Sequence, residues 1–212
     1  MSNNNLKAEV MKIGIIGITS LTLNLAGRAA QAGYEVTINN PRGGSLIKEV
    51  VKKMGSQARI GTIEQAADSE IVILFIPKED LESVIKSLPD MSGKIIVHTS
   101  GLIFDPHLLL PGITNAMTYK ITASLLPKAH IVKLFNPIDI GTKKLTSWKE
   151  SKENIFFITD HAECKNQIRI FLTKIHYHPF DLTTRFQLQD KRSSLNGFYN
   201  PLSLKPFKNN YN

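Results

Sequence analysis

Residues Met11 to Leu25, MKIGIIGITSLTLNL, constrain the fold more than any other part of the chain. Met11, Ile13, Ile15, Ile16 and Ile18 surround two glycines in a continuous apolar run, which is the pattern of a strand buried on both faces. The run passes through a turn straight into a segment with helical spacing, Leu21 to Ala32, and Gly33 supplies a helix stop. A β-turn-α unit of this kind opens a layered α/β domain.

The turn also carries the remains of a dinucleotide-binding fingerprint. In G-x-G-x-x-G the first glycine makes the tight turn, the second admits the pyrophosphate, and the third packs helix on strand. Those positions fall on Gly17, Thr19 and Thr22, so only the first glycine is kept. The placement still suits an anion, because free N–H groups at a helix start attract phosphate, and Thr19 and Ser20 add hydroxyls. The turn residues Gly17, Ile18, Thr19, Ser20 and Leu21 are therefore candidate cofactor contacts. The alternative is an ordinary first βα turn without a ligand.

Alternation of strands and helices continues along the chain. Tyr34–Ile38, Ala58–Ile60, Ile71–Ile76, Lys94–His98, Ile131–Phe135, Asn154–Thr159 and His178–Leu182 read as strands. Ser45–Met54, Ile63–Ala67, Glu79–Leu88, Asn115–Leu125 and Ala162–Lys174 read as the intervening helices. The expected architecture is a Rossmann-type doubly wound α/β fold, a mostly parallel sheet with helices on both faces. Residues 1–182 form this domain, and residues 183–212, with the Pro- and Asn-rich stretch NGFYNPLSLKPFK, form a tail that packs on the domain or on a partner subunit of a homodimer.

Composition narrows the function classes. With 212 residues and 42% hydrophobic content, the chain is long enough for one α/β domain with a small appendage. The single cysteine, Cys164, excludes a disulfide framework and suits a reducing cytosol. No run approaches a membrane span and MSNNNLKAEV lacks a signal core, so a soluble cytoplasmic protein without a membrane partner is expected. The net charge of +8 is scattered and lacks interleaved aromatics, which points to a basic surface that favours anionic small molecules and not to a nucleic-acid partner. The six histidines show no helical i, i+4 pair, and His176 and His178 fall on one face of the last strand without a third ligand near in sequence, so no metal is assigned. No P-loop or G-x-S-x-G elbow occurs.

The segments MKIGIIG, GYEVTINNPRG, GTIEQAADSEIVILFIPKEDL, LPDMSGKIIVHTS, LLPKAHIVKLFN, ITDHAECK and HPFDL, in this order and spacing, resemble the deazaflavin-dependent NADP reductase-like family of Rossmann proteins. The resemblance implies NADP(H) as cofactor, held by the glycine turn and by a short polar loop after the second strand, here Asn39 to Gly43. Arg42 matches the family arginine, whose fork can grip the 2′-phosphate, with Asn40 and Pro41 beside it. That loop contains no acidic residue to favour NAD, and Pro41 replaces the usual serine. Phe75, Ile76 and Pro77 match the stretch that lies along the cofactor. His98, Thr99 and Ser100, and further on Phe135 and Asn136, end strands near the nicotinamide in this fold class. His98 is the single catalytic candidate, and it departs from the acidic or small residue usual there.

Two functions follow from different classes. One is an NADP(H)-dependent oxidoreductase moving hydride to or from a small conjugated substrate, with a flavin or deazaflavin as co-substrate. Such a transfer requires mainly the positioning of two rings, which fits the absence of an evident acid/base pair. The other is a non-catalytic nucleotide-binding Rossmann module with a degraded glycine fingerprint.

Overall fold

A computed structural model of the chain describes residues 11–43, 47–77, 79–99, 119–135, 153–184 and 187. The strands are β1 (Lys12–Ile16), β2 (Glu35–Asn39), β3 (Ala58–Ile60), β4 (Ile71–Leu74), β5 (Ile95–Thr99), β6 (His130–Leu134), β7 (Glu153–Thr159) and β8 (Tyr177–Asp181). They join in one sheet of order β3-β2-β1-β4-β5-β6-β7-β8. All pairs from β3 to β6 are parallel, with Ile13 opposite Val36 on one side and Ile71 on the other. β7 then runs antiparallel to β6, and β8 parallel to β7. This is the doubly wound Rossmann arrangement.

Continuous apolar strands require cover on both sides, and the helices supply it. On one face α1 (Ser20–Gln31), α2 (Lys48–Lys53) and α6 (Ala162–Lys174) bury Leu25, Ala29, Val51, Ile168 and Phe171 against Ile13, Ile15, Ile73 and Val97. On the other, α3 (Ile63–Ala67), α4 (Leu81–Ser87) and α5 (residues 119–125) bury Ala66, Leu81, Ile85 and Tyr119 against Ile16, Leu74, Ile96 and Ile131. α3 lies so close to β1 that a Cβ on Gly14 would meet the Ala66 carbonyl oxygen at 1.9 Å. None of the described helices is long and apolar enough to cross a membrane.

Two expectations change. β4 ends at Leu74 instead of Ile76, because Pro77 has no N–H to extend a ladder and the chain turns away before it. His176 is not on the face of the last strand: it sits before β8 with φ of 64°, in the left-handed turn that closes α6. Thr183, placed at the start of the tail, is buried and its hydroxyl accepts from the Thr159 N–H at 3.2 Å. The remainder of 185–212, apart from residue 187, lies outside the described residues, as do the start of the expected helix Asn115–Leu125 and the segment containing Ser100.

Candidate functional site

The sheet order places a switch point beside β1, since β2 and β4 flank it and their connections run in opposite directions. Ligands of open α/β sheets bind outside the carboxyl ends of the strands at that crevice. Gly17 forms its floor. With φ of 91° it takes a conformation that side chains rarely adopt, and a Cβ there would sit 1.7 Å from the Phe75 carbonyl oxygen. Backbone bonds fasten the turn on both sides, Gly17 N–H to Asn39 O and Phe75 N–H to Ile16 O, both 2.9 Å.

The two lost glycines have become a cap. Thr19 is the N-cap of α1, and its hydroxyl accepts from the Thr22 N–H at 3.1 Å, while the Thr22 hydroxyl accepts from the Thr19 N–H at 2.8 Å. The fully buried Thr22 hydroxyl also faces the Gly17 carbonyl oxygen at 3.1 Å, as a donor. Two N–H groups at the start of the helix are thereby engaged within the turn. Those of Ser20 and Leu21 come next, at the first turn of the helix, where orphan donors and the helix dipole favour an anion.

The loop after β2 reaches over to the segment after β4. Arg42 pairs with Asp80 at 2.7 Å and with Glu79 at 3.5 Å, while its side chain remains 62% exposed. Asn40 holds the loop, its side-chain amide donating to the Gly43 carbonyl and its oxygen accepting from the Arg42 N–H at 3.4 Å. Pro41 is exposed next to it; Ile76 and Pro77 follow β4, the first packed in the core beside Leu74 and Leu81 and the second partly buried. A 2′-phosphate at Arg42 would therefore compete with Asp80 and Glu79 for the guanidinium.

Deeper along the sheet, His98 and Thr99 end β5 and are each 1% exposed. The Thr99 hydroxyl donates to the Leu74 carbonyl at 3.0 Å, so it knits β5 to β4. His98 stands in register with Lys133 on β6, and its Nδ1 lies 3.5 Å from the Lys133 ammonium. Its Nε2 is sealed from water and has no hydrogen-bond partner among the described residues. Burial, reinforced by the Lys133 charge, pulls the His98 pKa down to about 3, and burial alone pulls Lys133 down to about 8. His98 is therefore neutral near pH 7. Sequence reading missed Lys133, the one fully buried cation among the described residues.

A separate cleft of about 400 Å³, bordered by Met11, Glu70, Lys94 and Gln167, opens at the amino ends of β4 and β5, away from Gly17. The switch-point crevice is the better candidate because it has the glycine turn and the helix start.

Residues 12–101 match the family described as NADP oxidoreductase, coenzyme F420-dependent. No curated protein matches the sequence. Among solved structures, the hypothetical protein SMa0349 from Sinorhizobium meliloti is 23% identical with a TM-score of 0.65, over 82% of this chain and 85% of that one. A protein provisionally described as an F420-dependent NADP reductase, from Arthrobacter sp. FB24, is 15% identical with a TM-score of 0.60, over 88% and 95%. A reductive aminase from Aspergillus terreus, solved with NADPH and ethyl levulinate, is 16% identical with a TM-score of 0.59, and 64% of its length is covered. These likenesses show a shared fold. The resemblance read from the sequence holds for residues 12–101, which match the family of coenzyme F420-dependent NADP oxidoreductases.

Proposed function

We propose that the chain is an NADP(H)-dependent oxidoreductase that moves hydride to or from a small conjugated acceptor, with a flavin or deazaflavin as the acceptor chemistry. The observation that carries this reading is the Gly17 turn at the sheet's switch point, in a segment whose family match names NADP. In this reading the pyrophosphate rests over Gly17 and Ile18 on the N–H groups of Ser20 and Leu21, with the Thr19 side chain at its edge. Asn40, Pro41 and Arg42 surround the 2′-phosphate, and Ile76 and Pro77 lie along the cofactor. Thr99, with Ser100 beyond the described residues, marks the nicotinamide end. NADPH supplies the hydride when bound. His98, neutral and enclosed beside Lys133, does not offer a proton at the site in this reading.

The Thr19–Thr22 cap supports a second reading, a nucleotide-binding module without turnover, since it engages two N–H groups that a pyrophosphate could otherwise use. Arg42 provides the test. Arg42→Ala should weaken NADPH by about 1.5–3 kcal/mol, roughly tenfold to a hundredfold, and leave NADH almost unchanged, as measured by calorimetry. Asp80→Asn should tighten NADPH, because it removes the carboxylate that holds the guanidinium in the free protein. Equal small losses for both cofactors in Arg42→Ala would reduce Arg42 to a surface cation.

A further inference from the structure

At the sheet end opposite the Gly17 turn, β6 begins and β7 finishes side by side, because the two strands are antiparallel. This brings together His130, the first residue of β6, and His161, which precedes α6, with Glu163 from the first turn of that helix. One ligand atom from each lies within 4.8 Å of the other two. His130 Nδ1 is 3.3 Å from Glu163 Oε1 and His161 Nδ1 is 3.9 Å from the same oxygen. The two rings meet edge to face with centroids 5.1 Å apart.

We propose that His130, His161 and Glu163 form a binding site for a divalent zinc-like ion, clipping the start of β6 to the start of α6. His130 Nδ1 is shielded from water yet makes no hydrogen bond among the described residues, although the carboxylate is close. Nitrogen and oxygen thus converge without being aimed at each other, which is how two ligands of one cation stand. Bond lengths of about 2.0–2.1 Å in tetrahedral zinc sites put neighbouring ligand atoms roughly 3.3 Å apart, the spacing of the His130–Glu163 pair. The wider spacing to His161 closes by small side-chain rotations of His161 and Glu163, which are 32% and 62% exposed. Two imidazoles and one carboxylate select zinc and its d-block neighbours over magnesium or calcium.

The backbone beneath is already fastened. The Thr159 hydroxyl donates to the Ile131 carbonyl at 2.8 Å and accepts from the His161 N–H at 3.2 Å, while the His161 carbonyl accepts from the Cys164 thiol at 3.3 Å. His161 makes no side-chain cap to the helix, which leaves its ring available to a metal.

The test uses the full chain stripped with a chelator and titrated with zinc chloride by calorimetry, with cobalt as a visible-absorption probe. A single saturable ion is expected, with affinity on the order of micromolar or tighter, a tetrahedral cobalt spectrum and a rise in Tm. His161→Ala and Glu163→Gln should each weaken binding about tenfold or more while the far-ultraviolet circular dichroism stays unchanged. Should His161→Ala fail to fold, Glu163→Gln alone carries the test. No saturable binding below about millimolar zinc, or binding unaffected by either variant, overturns the site. The outcome is independent of whether the chain binds NADPH.

Discussion

Gly17→Ala is expected to destabilise the protein by about 3 kcal/mol or more and to remove NADPH binding from the fraction that stays folded. The alanine Cβ would meet two backbone atoms, Phe75 O at 1.7 Å and Phe75 C at 2.7 Å, at a φ of 91°. Neither contact can be relieved by a rotamer change, because the Asn39 and Ile16 carbonyls fix both strands at this point. Gly33 separates the two causes. Its φ of 87° is nearly the same, but a Cβ there meets nothing within 4 Å. Gly33→Ala should therefore show the backbone strain alone, about 1 kcal/mol. Denaturant midpoints of the two variants check this, and equal losses would mean that the close approach to Phe75 contributes nothing.

Lys133→Met should stabilise the protein by about 2 kcal/mol at pH 7. Lys133 is fully buried, its ammonium lies 3.5 Å from His98 Nδ1, and no carboxylate among the described residues pairs with it. Its folded pKa of about 8 lies below the ordinary 10.5, so between these values the unfolded chain holds more protons. Stability of the wild type should then rise as pH climbs through that window, and below about 8 the penalty is complete. The gain from methionine should be largest below pH 8 and fade towards pH 10.5. His98 acts in the acid range, since a folded pKa near 3 against 6.5 means that wild-type stability declines as pH falls below about 6.5. Urea unfolding at neutral and alkaline pH measures the difference. A methionine variant less stable than wild type at pH 7 would reveal an ionic partner for Lys133.

β1, β4 and β5 were legible as continuous apolar runs closed by Gly, Pro or a polar turn, and β2 by its alternation, while β3 and β6 followed from the strand–helix rhythm around them; α6 was legible because its capless start still follows a strand and its apolar spacing is helical. The reversal at β7 was not legible, since Asn154–Thr159 reads alike whichever way it pairs. Long-range pairings were hidden for a similar reason. Arg42 and Asp80 are 38 residues apart, and nothing local to either announces the other. Lys133 was one cation among 26 Lys and Arg, and its burial follows from a strand position whose two neighbours also lie inside. The Thr19–Thr22 cap did leave a signal, two hydroxyls at N-cap and N3, but the glutamate or glutamine form of the capping box is the one usually sought.

Calorimetric titration of the wild-type chain with NADPH and NADH tests the cofactor assignment most directly. The glycine turn and Arg42 predict saturable NADPH binding, with NADH weaker by about tenfold or more. Failure of both cofactors to bind at roughly millimolar concentration, or a preference for NADH, would contradict an NADP(H)-dependent oxidoreductase.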